Sequence, residues 1–314
     1  MGANESQGKA KLTANVHTSL DELIRLQFEA KDFSFLPRQP VDSLLSGRHA
    51  SRLRGRGLTF EELRRYRAGD DIRSIDWRAT ARLRKAHVRV YSEERDRPVL
   101  LVVDQRTSMF FGSARTTKAT LAAEAAALTA WRTIDRGDRV GAILFDDDEI
   151  VEIKPQRSRS NVLRICHDLV RLNQALTASR KPTSPGMLND AFRRAVNVAS
   201  HDHLVVMITD YGGDNDRTQE LTTRLAAHND VLAVLIYDPL GARLPVGGQM
   251  EATDGGRQLP VPESAGFEAR FDSEFRQRTE DLRERLRAIR IPILPLCTHD
   301  PVADQVASAL GGRK

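Results

Sequence analysis

From residue 98 onward the chain alternates short, uninterrupted apolar runs with longer segments of helical periodicity. The runs PVLLVVD (98–104), RVGAILF (139–145), HLVVMITD (203–210), VLAVLIYD (231–238) and IPILPL (291–296) are apolar at consecutive positions, as strands buried on both faces are. EIVEIKP (149–155) reads as a further strand, reached through a hairpin-like turn at 146–148. Helical segments fall between them: an Ala-rich stretch over 117–136 closed by Gly137, then 160–176, 186–200, 215–228, 267–290 and 301–310. Residues 249–261 read as a small hairpin turning at Asp254-Gly255-Gly256. This alternation predicts an α/β fold, a mostly parallel doubly wound sheet with helices on both faces. Such sheets bind ligands at the carboxyl ends of their strands, so chemistry is sought just after Val103, Thr209 and Tyr237.

The first third of the chain follows a different pattern. Residues 1–17 are polar, and Ser19 caps a predicted helix to about Ala30 with Leu20, Leu23, Ile24, Leu26 and Phe28 mostly on one face. Pro37 and Pro40 end that unit, 46–58 read as a basic Gly-rich loop, 59–67 as a short helix or turn, and His87–Tyr91 as a strand. The expected division is a basic N-terminal region (1–97) with a short β element, then the doubly wound domain (98–314).

Composition narrows the class. With 314 residues, 40% hydrophobic and 29% charged, the chain is a globular protein of one large domain or two smaller ones. The net charge of +5 is unevenly placed. Residues 1–98 carry net +6 and 99–314 net −1, and Arg48–Arg89 alone holds 13 basic against 5 acidic side chains. No run approaches the ~18 apolar residues of a membrane span, and the first twenty residues lack a secretory apolar core. Gly2 and Ser6 fit a myristoylation pattern, though one short enough to recur by accident. Cys166 and Cys297, far apart in apolar settings, read as buried free thiols of a reducing compartment, and the cytoplasm is the expected location.

The sequence contains no P-loop, no G-x-S-x-G elbow and no H-E-x-x-H helix. His201-Asp202-His203 reads as a solvated turn. What remains is Asp104-Gln105-Arg106-Thr107-Ser108-Met109 at the end of the first buried strand, Thr183 in the loop KPTSPG, and Asp210 at the end of LVVMITD. Hydroxyl and carboxylate oxygens from three such loops can converge on one hard cation, of which Mg²⁺ is the natural choice.

This layout resembles the von Willebrand factor type A domain and its metal-ion-dependent adhesion site, D-x-S-x-S followed by Thr and then Asp. Asp104 matches the first position, Ser108 the second Ser, Thr183 the Thr and Asp210 the last Asp, while Arg106 stands where the first Ser belongs. Arg has no acceptor and a fixed charge, so it cannot ligate a cation and weighs against Mg²⁺ here. Either Arg106 swings out to solvent, or its guanidinium takes the cation's place between Asp104 and Asp210. A plainer role for the two carboxylates, capping helix starts at strand ends, stays open.

The segment RGRGLTFEELRRYRAGDDIRSIDWRATARLRKAHVRVYSEERDRPVLLVVDQRTSM (54–109) makes a second resemblance. Arg65, Tyr66, Gly69, Asp70, Asp71, Arg73, Ile75, Asp76, Trp77, Thr80, Ala81 and Arg82 match the R-x-Y-x-x-G-D-D-x-R-x-I-D-W-x-x-T-A-R hallmark, with slightly compressed spacing at Tyr66, of the bacterial family called "domain of unknown function fifty-eight". The chain is similar to that family over about 50–240 and loosely beyond. The resemblance implies the type A fold, a cytoplasmic or membrane-facing setting, and association with a MoxR-type AAA+ ATPase. Physically, the motif alternates Arg and Asp around Ile75 and Trp77. Asp70 and Asp71 can hold a turn while Asp76 holds Arg73 or Arg78, or Asp70, Asp71, Arg73, Asp76, Trp77 and Arg82 can form a docking surface.

Three functions compete. The leading one is a non-enzymatic protein-binding adaptor. The second is nucleic-acid binding through Arg48, Arg52, Arg54 and Arg56, for which the net +8 over Arg48–Arg89 is permissive but interleaved aromatics are lacking. The third, an enzyme, lacks a nucleophile–base constellation.

Overall fold

A computed structural model of the chain describes residues 15–30, 58–67, 70–93, 97–178, 186–242, 251–253, 258–261 and 264–309. The chain divides into two compact units, Met1–Ser46 with Arg97–Lys314, and Gly47–Asp96.

The order of elements begins with α1 (Leu20–Glu29), β1 (Leu58–Arg65), α2 (Trp77–Leu83), β2 (His87–Glu93), β3 (Val99–Asp104), α3 (Lys118–Asp135), β4 (Val140–Phe145) and β5 (Ile150–Gln156). It continues with α4 (Arg159–Gln174), α5 (Met187–Val198), β6 (Leu204–Thr209), α6 (Asp216–His228), β7 (Asp230–Tyr237) and α7 (Pro239–Ala242). The last elements are β8 (Glu251–Thr253), β9 (Gln258–Pro260), α8 (Ala265–Ala288), β10 (Ile293–Cys297) and α9 (Val302–Ala309).

The first unit is built on a six-stranded sheet in the order β10-β7-β6-β3-β4-β5. All neighbours are parallel except β5, which returns antiparallel to β4 across the turn at 146–148. The apolar runs give what their composition demands, since β3 and β4 are buried at every position. Their side chains alternate between two cores. Val99, Leu101 and Val103 join the core under α1, α3, α4 and α9, while Leu100 and Val102 join that under α5, α6 and α8. β8 and β9 form the small antiparallel pair expected near 249–261, and its turn at Asp254-Gly255-Gly256 lies outside the described residues.

α3 explains why α1 belongs to this unit. Seven of its alanines are buried, so the helix is apolar nearly all round and must be covered on both sides. The sheet covers one side. α1, capped by the Ser19–Glu22 box, lies on the other, where the Trp131 indole N–H donates to the Leu23 carbonyl at 2.9 Å. The reading from sequence drew one boundary at 97/98; the compact units draw two, because α1 buries Leu23 and Leu26 against the sheet unit.

In the second unit, the expectation of a helix or turn over 59–67 is corrected. Leu58–Arg65 is a strand paired antiparallel with β2, with a register shift between Phe60 and Glu62. Cross-strand pairing overrides the helical propensity of Glu-Glu-Leu-Arg-Arg.

Candidate functional site

The chain enters the sheet at β3, moves outward to β4 and β5, then returns to the opposite side of β3 as β6. The crevice between the carboxyl ends of β3 and β6 is therefore the point where strand order reverses. Asp104 is the last residue of β3, and Asp210 directly follows β6. The topology brings together two carboxylates that are more than a hundred residues apart in the chain.

Arg106 turns inward. Its Nε lies 3.0 and 3.1 Å from the two Asp104 oxygens, and a terminal nitrogen lies 2.7 Å from Oδ2. That same nitrogen donates to the Gly212 carbonyl at 3.0 Å and lies 3.9 Å from Asp210 Oδ1. The guanidinium carbon sits 5.7 Å from the centre of the Phe145 ring. Asp104 also accepts from the Arg106 backbone N–H and the Thr209 hydroxyl, at 3.0 and 2.6 Å. Both side chains of the pair are withdrawn from solvent. Burial works against the charge on Arg106, but Asp104 and, less strongly, Asp210 and Asp147 outweigh it and raise its pKa.

Asp210 has its own cation. Lys118 Nζ donates to Oδ2 at 2.5 Å, and the Gly212 N–H donates to Oδ1 at 2.7 Å. Burial pushes the Asp210 carboxyl up, while Lys118, the Gly212 N–H and Arg106 more than offset it and hold the pKa below its ordinary 3.8. Lys118 was missed in the sequence, and so was Thr209. A faint signal existed, because Lys118 is the first residue of a helix, where the macrodipole disfavours a cation unless a carboxylate faces it.

The rim is ordered by further carboxylates. Asp147 accepts from the Thr107 N–H and hydroxyl at 2.7 and 2.6 Å. Asp238, which follows Tyr237, is held by the Ser113 and Thr298 hydroxyls, both at 2.5 Å, and by two backbone N–H groups. Behind the site runs a buried amide relay. The Thr18 N–H donates to Asn173, which donates to Gln105, which donates to the Asp104 and Ala119 carbonyls.

Asp104, Arg106 and Asp210 thus come together. Ser108, on the 3₁₀ turn Thr107–Met109, is exposed. Thr183 lies outside the described residues, as do Arg48, Arg52, Arg54 and Arg56. Among the described residues no group of three or more His, Cys, Asp or Glu is arranged to hold a metal, and no helix is long and apolar enough to cross a membrane.

The Arg/Asp motif fills the connection between β1 and β2. Asp70 takes a two-pronged Arg64 fork, 2.8 Å on each oxygen, and the Arg67 N–H at 2.8 Å. The Arg64 bond, then the Arg67 N–H, draw the Asp70 pKa downward. Asp71 caps the 3₁₀ turn Ile72–Ser74 through the Arg73 N–H at 2.9 Å. Asp76 caps α2 through the Arg78 and Ala79 N–H groups, each at 3.0 Å, so it meets the backbone of Arg78. Ile75 bridges to Val88, and the Asp76 N–H donates to the His87 carbonyl. Arg73, Trp77 and Arg82 are exposed, while Asp70 and Asp76 are half-buried.

A doubly wound sheet with a carboxylate–cation site at its switch point, joined to a second unit built around an Arg/Asp turn, defines the class. The chain belongs to the family described as "Protein of unknown function DUF58", whose model matches residues 62–281. It is 28% identical to uncharacterized proteins of Mycobacterium tuberculosis and Mycobacterium bovis, over 88% of this chain and 86% of theirs. It aligns with the crystal structure of the conserved hypothetical protein BatB from Bacteroides thetaiotaomicron at 15% identity and a TM-score of 0.39, covering 68% of this chain and 98% of that one.

Proposed function

We propose that the chain is a non-enzymatic protein-binding module, an adaptor that works with a MoxR-type AAA+ ATPase in complex assembly or protein maturation. The partner class is what the family resemblance implies. The observation that carries the reading is Trp77, 67% exposed on a short helix whose surroundings are pinned by Asp70, Asp71 and Asp76. Trp is among the residues enriched as anchors of protein interfaces.

The strand-end site serves this module without a metal. Mg²⁺ needs oxygen lone pairs at about 2.1 Å. The Asp104 oxygens already serve Arg106 and Thr209, and Asp210 serves Lys118 and Gly212. An ion on either carboxylate would stand beside a fixed guanidinium or ammonium and be repelled. These residues do not fit the divalent ion of a type A adhesion site. Around the site, Val16 and Phe111 are each 43% exposed, and the Phe111 carbonyl accepts from the Lys118 N–H. They give the strand-end loops an apolar rim suited to a protein partner.

The test is affinity capture of the tagged full chain from native lysate, with and without ATP and Mg²⁺. Retention of a MoxR-type ATPase by the wild type and its loss with Trp77→Ala is expected. Capture of no such ATPase under any condition overturns the assignment.

A further inference from the structure

Three of the six large apolar side chains exposed among the described residues, Ile72, Trp77 and Leu83, fall in the one connection between β1 and β2. Residues 71–85 also carry five cations (Arg73, Arg78, Arg82, Arg84, Lys85) against two carboxylates, Asp71 and Asp76, for net +3. Both carboxylates accept from backbone N–H groups, Asp71 at the 3₁₀ turn and Asp76 at the start of α2. The basic side chains are exposed. On α2, Trp77 and Ala81 are one turn apart on one side, and Arg78 and Arg82 are one turn apart beside them.

We propose that this surface docks an acidic, apolar segment of a partner protein, with carboxylates meeting Arg78 and Arg82 and an apolar side chain packing on Trp77. This rests on the reading of the chain as a binding module and names the chemistry of what it binds. Guanidinium forks match carboxylates bidentately, and Trp with Arg is the composition of interface hot spots. The capped, strand-anchored frame is already ordered, so docking forfeits little conformational entropy. Single-stranded nucleic acid would need successive aromatic platforms, and among the described residues of the connection Trp77 is the one exposed aromatic.

The experiment uses the full chain and a fluorescein-labelled peptide with Leu at every third or fourth position and Glu elsewhere, together with its Glu→Gln counterpart. Fluorescence anisotropy is expected to give at least tenfold tighter binding of the Glu peptide. A tenfold or greater loss is expected with Trp77→Ala and with the double change Arg78→Glu, Arg82→Glu. That charge-reversed protein is expected to bind a Lys version of the peptide instead, which separates charge matching from misfolding. Equal binding of the Glu and Gln peptides, with sensitivity to Trp77→Ala retained, overturns the acidic partner and leaves the binding module standing. Indifference to both protein changes, or no binding of the Glu peptide, overturns the docking site itself. Sedimentation with phosphatidylglycerol vesicles that is lost in Trp77→Ala overturns it in favour of a lipid surface.

Discussion

Arg106 folds back on Asp104, two residues earlier in the chain, and grips both of its oxygens inside the protein, at 2.7 to 3.1 Å. A buried ion pair overcomes the cost of desolvation only with good geometry and with its remaining hydrogen-bonding positions satisfied. Thr209 and Gly212, both from the β6 side, supply those positions. The pair is local in sequence, yet its environment is assembled by the neighbouring strand.

Arg106→Ser tests whether the guanidinium has replaced an ion. Removing it leaves Asp104 buried without its cation, a loss of about 3–5 kcal/mol. Wild-type protein titrated calorimetrically with MgCl₂ is expected to show no saturable binding and no change in Tm. The variant is expected to gain Mg²⁺ affinity, worth about 2.7 kcal/mol of stability at 100 times its Kd. Saturable Mg²⁺ binding to the wild type, abolished by Asp104→Ala, would count decisively against a metal-independent site.

Lys118→Met removes the principal cation on Asp210 and is expected to cost about 3 kcal/mol at pH 7. The folded pKa of Asp210 lies below its ordinary 3.8. Its contribution is therefore fully present above that value and is lost as pH falls through the lower folded value. Urea denaturation across a pH series should show the gap between wild type and variant wide at pH 7 and closing below about pH 4. A gap independent of pH would mean that the ammonium acts through packing alone.

Cys166 is fully buried in α4, and burial pushes its thiol up to about 12, so it is expected to stay unreactive in the native state. Cys297, less buried, should be alkylated first. Mass spectrometry after iodoacetamide treatment in buffer and in denaturant is expected to show Cys166 modified only on unfolding.

Gly141 lies in β4 at the register shift against β5, where an added Cβ would stand 2.6 Å from the Ile153 carbonyl oxygen and the Pro155 nitrogen. Both neighbours are backbone and cannot rotate away. Gly141→Ala is expected to cost about 1–3 kcal/mol, seen as a lowered Tm, with the strand order unchanged.

The sequence by itself determined the sheet. Runs such as Val99–Val103 and Val140–Phe145, short and apolar throughout, read as strands covered on both faces, and the long Ala-rich segment after Thr117 reads as a helix. Asp104 and Asp210 were legible for the same reason, as carboxylates closing buried strands. The route taken by Arg106 was not, because solvent and the cleft were equally open to a long side chain until β6 placed Thr209 and Gly212 beside it. Lys118 and Asp210 stand 92 positions apart, and no local pattern links them; their pairing follows from the reversal of strand order between β3 and β6. Tertiary pairing also decided β1, whose Glu and Arg residues favour a helix in isolation but whose backbone hydrogen bonds are completed by β2. The motif divided in the same way. The spacing left open whether its carboxylates hold turns, hold Arg73 or Arg78, or face a partner; the folded backbone assigned them to turns and caps, gave Asp70 the Arg64 fork, and left Trp77 exposed. Local chemistry sets what each side chain can do, and strand order sets which partner it meets.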